Sequence, residues 1–193
     1  MFCLSYFPSK LKTGYTIPII KKNKDQYSTD SYRGITVTPI IGKLFEHVLI
    51  ERIHTNHSEL QFGFTKGKSP AMAALLATEA IAAGLDQSRS TYVAALDVQK
   101  AFDVVSHPIL KARIYSQCED LKIWSLMAQA IEGSTRIRVN GQLSKSVSLS
   151  QGVGQGRIIS TSNYKTYINP LLDVLQAARV GVCAGPLFIG APT

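Results

Sequence analysis

The chain has 193 residues and a hydrophobic fraction of 45%, enough to build a core for one large domain or two small lobes. Its 21 Lys and Arg against 13 Asp and Glu leave a formal charge of +8, which favours a polyanionic partner. Cys3, Cys118 and Cys183 are odd in number and far apart, which argues against a disulfide framework and a zinc site and for a reducing, intracellular setting; His47, His54, His57 and His107 have no ligand spacing and read as surface or packing residues.

The opening MFCLSYF lacks a basic start and a full apolar core, so no secretory leader is expected. From Leu11 to Arg52 two β-rich pieces, Thr16 to Ile20 and Gly34 to Thr38, flank a polar loop that carries Lys21, Lys22 and Lys24. A helix should follow, with Pro39 in its first turn and Ile40, Ile41, Leu44, Val48 and Leu49 recurring at helical spacing. The basic loop reads equally as a solvated surface run. Gln61 to Ser69, QFGFTKGKS, then leads into an Ala-rich helix with Ser69 as N-cap and Pro70 at its first position. Lys66 and Lys68, at a helix start among glycines, make a reasonable phosphate-contact surface, and Phe62 and Phe64 can anchor that helix in a core. The longest apolar candidate, Ala71 to Leu85, is broken by Thr78 and Glu79 and falls short of a membrane span.

Tyr92 to Leu96 is a short run of β-formers and small apolar residues that predicts a mostly buried strand, with Asp97 where the strand emerges. A carboxylate there is costly to desolvate without a cation or donors, which invites a functional role, though a turn-capping Asp97 and a core Phe102 are the ordinary alternative. Ser106 and Pro108 predict a helix running to about Gln117. Asp120 to Ile131 reads as an amphipathic helix with Leu121, Leu126 and Met127 on its apolar side. Thr135 to Val139 and Lys145 to Leu149 flank Asn140-Gly141, a hairpin signal whose register Gln142-Leu143-Ser144 leaves open. Arg136 and Arg138 alternate with Ile137 and Val139, so the hairpin should be basic on one side. In Ser150 to Ser160, SQGVGQGRIIS, glycines allow close backbone approach to a base or sugar, the Gln155 amide can bond a nucleotide, and Ser160 starts the next helix; a plain glycine-rich turn fits too. Ser162 to Ala178 predicts a helix kinked or interrupted at Pro170, Gly181 to Gly185 a turn, and Pro186 to Ile189 a strand.

Several of these stretches carry a resemblance. Asp97-Val98-Gln99-Lys100-Ala101-Phe102-Asp103 resembles the first catalytic motif of reverse transcriptases of the non-long-terminal-repeat retrotransposon kind. The Lys21-Lys22 pair with Tyr32-Arg33-Gly34-Ile35 resembles that family's finger strands. Gln61 to Ser69 resembles QxGFRKGRS, with Thr65 where arginine is common, and Ser150 to Ser160 resembles SQGVRQGxxLSP, with Arg157 and Thr161 departing from the commoner form. The stretches fall in the family's order from Leu11 to about Gly190.

The resemblance implies an α/β (α+β) right-hand polymerase fold: fingers at about 1–89 and 116–154, a partial palm at about 90–115 and 155–193, and no thumb. It implies an RNA-directed DNA polymerase working on an RNA template, a DNA primer and dNTPs. Asp97 would be the catalytic carboxylate and, with the Val98 carbonyl, a ligand for two Mg²⁺ (or Mn²⁺) ions. Phe102 would be the steric gate that excludes a 2′-hydroxyl. Lys21, Lys22 and Arg33 would face the triphosphate, Gln155, Gly156 and Ser160 the nucleotide, and Lys66 and Lys68 the template. The family's paired aspartates have no counterpart in these residues, so the expectation is a domain fragment, inactive alone, with the two ions bound only in the full-length domain. The other readings are a catalytically dead remnant that binds nucleic acid and a structural module with no nucleic-acid role. An intracellular location, nucleus or cytoplasm, with no membrane association is expected; the oligomeric state is not indicated.

Overall fold

The β-formers on either side of the lysine-rich loop pair with each other, as antiparallel strands β1 (Gly14–Ile20) and β2 (Tyr32–Val37), with Tyr15 opposite Val37 and Ile19 opposite Arg33. This is seen in a computed structural model that describes residues 3–53, 57–179, 181–184 and 187–189. On the far edge of β1, strand β3 (Gly133–Val139) pairs in parallel from Gly14 to Thr16 only. Pro18 lies beyond that pairing, where the edge is open, the setting in which a strand proline is tolerated. Two short strands, β4 (Gln142–Leu143) and β5 (Val147–Leu149), return antiparallel onto β3, so the sheet is mixed, in the order β2-β1-β3-β4 with β5 also on β3. Asn140 and Gly141 both adopt positive φ, +48° and +80°, as their turn requires. Ser144 settles the register that the sequence leaves open: its Oγ accepts the Ile137 amide at 2.9 Å, and its own amide donates to the Ile137 carbonyl at 2.9 Å.

The chain divides into two compact units, Met1–Thr55 with Lys100–Tyr164 and Asn56–Gln99 with Lys165–Thr193. The first holds the sheet and the helices α1 (Ser9–Lys12), α2 (Ile40–Ile50), α4 (His107–Gln117) and α5 (Leu121–Ile131). Its core gathers Leu49, Leu110, Leu126 and Ala130, all without solvent exposure, with Phe7 edge-on to Phe45 at 4.9 Å. Asp120 caps α5 through its Oδ1, which accepts the Lys122 amide at 2.7 Å. On this helix Leu126 and Met127 are buried as expected, but Leu121, on the first turn, is exposed.

α2 forms where expected and buries a different face. Ile40, Ile41 and Leu44 are exposed, while Gly42, Phe45, Glu46 and Leu49 turn inward at the i, i+3, i+4, i+7 spacing of one helix face. Apolar content misphases this helix because its central inward residue is a carboxylate. Glu46, 0% exposed, meets Arg157, which donates to Glu46 Oε1 from Nε at 2.8 Å and from Nη2 at 2.5 Å, and from Nη1 to the Ala130 carbonyl at 2.8 Å. Glu46 Oε2 accepts the amides of Ile158 and Ile159 at 3.0 and 3.4 Å, at the start of α6 (Ile158–Ala177). Both carboxylate oxygens and all three guanidinium nitrogens are thereby satisfied, the condition under which a buried pair holds.

The second unit contains α3 (Pro70–Asp86), whose N-cap Ser69 accepts the Met72 amide through its hydroxyl at 3.3 Å, and a two-stranded ribbon, β6 (Val182–Ala184) with β7 (Leu187–Ile189), packed on α3. β6 replaces much of the expected turn; Gly185 of that turn and Pro186 of the expected strand, like His54, lie outside the described residues. α6 starts at Ile158, ahead of the helix start at Ser160 and the run from Ser162 that the sequence suggests, and runs without a break through Pro170. Asn169 on its last turns accepts the Ser58 amide at 2.5 Å and donates to Asp173 at 2.9 Å. No helix of the described residues is long and apolar enough to cross a membrane.

The largest correction concerns residues 91–98. Tyr92 to Leu96 forms no strand and is not buried: Tyr92 is 93% and Leu96 80% exposed. A strand persists only when a neighbour takes up its N–H and C=O groups, and these residues have no ladder partner among the described residues. β-propensity alone does not make up for that.

Replacing Glu46 with Gln should leave Arg157 buried without a counter-charge and cost about 3–5 kcal/mol in urea unfolding. The double variant Glu46→Leu/Arg157→Leu should recover most of the loss. In the second unit, burial first and the Lys165 ammonium second hold the His57 pKa below the ordinary histidine value, and both ring nitrogens are buried without a partner among the described residues. The unfolded chain then binds more protons than the folded one, so stability is complete above about pH 6.5 and falls as pH drops through that value toward the depressed folded pKa. His57→Phe should flatten this acid limb when denaturation midpoints are compared between pH 7 and pH 5.

Candidate functional site

The loop at 150–156 is where stretches far apart in sequence meet within the first unit. The Gly152 amide donates to the Val105 carbonyl and the Val153 amide to the Phe102 carbonyl, each at 2.8 Å, and Ser106 bridges Gln151. The buried His107 ring holds the Gly152 carbonyl through Nε2 at 2.7 Å. On the other side the Thr36 amide donates to the Gln155 carbonyl at 2.6 Å. Two glycines make this possible. Gly152, at φ +82°, would place a Cβ 3.0 Å from the Asp103 carbonyl oxygen; Gly156, at φ +102°, would place one 2.7 Å from that of Thr36. The loop roofs a cavity of about 330 Å³ walled by Thr16, Thr36 and Thr135 of the sheet and by Asp103, Gln151 and Gln155. The three threonine hydroxyls form a row, Thr16 lying 2.8 Å from Thr135 and 3.4 Å from Thr36. A concave site with backbone groups, hydroxyls, two side-chain amides and one carboxylate suits a polar ligand bound close to the main chain.

Phe102 sits beside this loop and stacks on Tyr164 of α6, centroids 5.0 Å apart and rings 13° from parallel. Gln155 is half-buried, Gly156 exposed, and Ser160, in the first turn of α6, nearly fully buried. Lys21 donates through Nζ to the Asp30 carbonyl at 2.8 Å, and Lys22 is exposed in the loop. Arg33 is exposed and, through its pairing with Ile19, lies on the sheet face of Tyr15 and Ile17, not on the threonine face. Asp30 and Lys100 pair at 2.8 Å on the surface; the bond to Lys100 holds the Asp30 carboxyl below its usual range and raises the lysine in turn.

Asp97, Val98, Lys66 and Lys68 belong to the second unit. Asp97 and Val98 are exposed, and Asp97 has no hydrogen bond or ion pair among the described residues, so its oxygens are uncommitted. One free carboxylate beside a main-chain carbonyl fits a divalent ion that takes its other ligands from phosphate and water. Among the described residues no three His, Cys, Asp or Glu side chains gather as a metal site. Lys68 donates to the Glu59 carbonyl and lies over the Phe62 ring at 5.0 Å, while Lys66 is exposed. Phe62 is buried, and Phe64, at φ +54°, is exposed.

Residues 19–184 match the model of the family described as reverse transcriptase (RNA-dependent DNA polymerase). The chain belongs to this family. Among its relatives are the RNA-directed DNA polymerase from mobile element jockey of Drosophila funebris, 27% identical over 96% of this chain and 21% of that protein, and the probable RNA-directed DNA polymerase from transposon X-element of Drosophila melanogaster, 29% identical over 85% and 19%. The retrovirus-related Pol polyprotein from type-1 retrotransposable element R2 of Popillia japonica is 27% identical over 86% of the chain and 24% of its own length. The reverse transcriptase chain thus spans about a fifth of the length of the curated relatives it matches.

Sequence reasoning missed two features of this reverse transcriptase domain. Glu46 anchors the loop's far end through Arg157, and the signal was present in the sequence: an arginine at an unusual place in SQGVGQGRIIS needs an acid to be buried. Tyr164 supports the Phe102 ring, and nothing local in the sequence announces that pairing. Next to Tyr164, Asn163 is 1% exposed, and neither atom of its amide has a partner among the described residues. An unsatisfied buried amide costs about 1–3 kcal/mol, so Asn163→Leu should raise the midpoint of thermal unfolding and leave the far-ultraviolet dichroism unchanged.

Proposed function

We propose that the chain forms the fingers and part of the palm of a retroelement RNA-directed DNA polymerase, which adds dNTPs to a primer 3′-hydroxyl on an RNA template. The observation that carries this reading is the glycine loop, which ties Phe102 of the first motif, and Val105 just after it, to Thr36 of the finger strand by main-chain hydrogen bonds. Three stretches that resemble family motifs, some fifty to seventy residues apart, are held in one place at a polar cavity.

In this reading the protein contributes position and charge, the main terms in phosphoryl transfer. Lys21 and Lys22 neutralise the triphosphate oxygens, whereas Arg33, on the sheet face away from the loop's cavity, is not given that role. Phe102, kept flat by Tyr164, occupies the space that a 2′-hydroxyl would need, which selects deoxynucleotides. Gln155 and Gly156 present an amide and an unencumbered main chain to the nucleotide, Ser160 secures the helix start behind them, and Lys66 and Lys68 meet template phosphates. Asp97 and the Val98 carbonyl would hold Mg²⁺ or Mn²⁺, which when bound supplies the charge that stabilises the attacking and leaving oxygens. One exposed carboxylate is too few for a two-ion clamp, so the 193 residues by themselves should not polymerise.

The test is primer extension on an RNA template by the chain alone and by a chimera in which it is followed by the segment that follows the aligned region in the jockey protein. The chain alone should give no product and the chimera should extend the primer. Asp97→Asn should abolish extension, and Phe102→Ala should raise ribonucleotide incorporation at least tenfold. A folded chimera that is inert would favour the second reading, a remnant that binds nucleic acid without catalysis, for which the formal charge of +8 is the supporting observation.

A further inference from the structure

Strand residues alternate between the two faces of a sheet, and here each face has its own cavity. Thr16, Thr36 and Thr135 wall the cavity beneath the glycine loop. Their immediate neighbours Tyr15, Val37 and Arg136 wall another, of about 580 Å³, which shares no residue with the first. It is completed by Lys10 of α1, by Thr38, and by Leu143 of β4.

The chemistry of this second cavity is cationic and aromatic. Lys10 and Arg136 line it, no carboxylate does, and Arg138, two residues along β3 and so on the same face, sets its guanidinium 5.3 Å over the Tyr15 ring. Lys10, Arg136 and Arg138 are exposed, and none of them has an ion-pair partner among the described residues. The hydroxyl of Thr38, a residue only 5% exposed, has no hydrogen-bond partner among the described residues. A small anion would use one or two of these cations and leave the ring idle. Repeated phosphates joined to planar bases use all of them, and spaced cations around a stacking ring are what binds a single strand without reading its sequence.

We infer that the Tyr15, Arg136 and Arg138 face is a second nucleic-acid site, which holds a single strand by its phosphates on Lys10, Arg136 and Arg138 and by a base packed against Tyr15. The inference rests on the polymerase reading only for the presence of a template strand; the site lies on the sheet face opposite the glycine loop and uses none of the motif residues.

The test is fluorescence anisotropy of a labelled single-stranded oligoribonucleotide titrated with the 193-residue chain at several KCl concentrations. Arg136→Glu/Arg138→Glu should weaken binding at least tenfold at low salt. Arg136→Gln/Arg138→Gln, which is milder toward folding, should make the slope of log affinity against log salt shallower by about 1.4, two phosphate contacts at about 0.7 each. Tyr15→Leu should weaken binding with the slope unchanged, and inorganic phosphate should compete only at concentrations where salt itself does. If the folded Gln variant keeps the affinity and slope of the parent chain, or the parent chain binds no oligonucleotide, the inference is overturned. The polymerase reading would stand or fall separately, on the chimera's primer extension.

Discussion

The first unit turns on one buried ion pair. Glu46 and Arg157 lie 111 residues apart, both nearly without solvent, and each is fully engaged: the carboxylate caps the start of α6 while the guanidinium also ties down the end of α5 at Ala130. Desolvating two charges is expensive, and the cost is offset only because every polar atom of the pair finds a partner. The carboxylate also lies at the N-terminal end of α6, where the exposed amides and the helix dipole favour a negative charge. Three helices are therefore fixed to one another by a single pair of side chains, and the strand-to-helix loop must reach Arg157 on a set path.

That path explains the glycines. With Arg157 pinned to Glu46, the preceding residues must cross from the Phe102–Val105 segment to the edge of β2 between Gly152 and Gln155, and the main chain comes within bonding distance of both. Gly152 and Gly156 occupy the two points where it is left-handed and where a Cβ would strike a carbonyl. Close approach of main chain to main chain leaves the Gln155 side chain and the threonine row facing an open cavity. Packing and site are thus consequences of the same constraint: the loop is rigid because it is tied at both ends, and it is bare because its glycines carry no side chains to fill the space.

How much of this was legible depended on how far apart the cooperating residues lie. Ser69 before Pro70 and Asn140-Gly141 in the hairpin act over three or four residues, and each did what its chemistry predicts. The mixed α/β class was implied by the resemblance of the motifs in their order, and the mixed sheet with its helices agrees with it. What failed was non-local. The inward face of α2 was misphased because a glutamate at its centre looks like a surface residue until its arginine is found. Tyr92 to Leu96 has the composition of a strand, but composition cannot supply a ladder partner. Among the site residues, the bonding of the Phe102 segment to the glycine loop is a long-range contact, and no spacing rule showed that Arg33 would fall on the opposite face of the sheet from the cavity there.

That last point follows from the alternation of strand side chains. In β1, β2 and β3 adjacent residues, Thr16 and Tyr15, Thr36 and Val37, Thr135 and Arg136, line the threonine cavity and the cationic one, so a one-residue slip in any of them would exchange these side chains between the two surfaces. Register therefore governs more than core packing here. The hydroxyl contacts of Thr16 with Thr135 and Thr36 and the Tyr15–Arg138 stack sit on opposite sides of the same three strands and favour the same pairing. Either set of contacts alone would be weak; a slip would forfeit both at once, which keeps a small, half-exposed sheet in one alignment and gives each face a fixed chemistry.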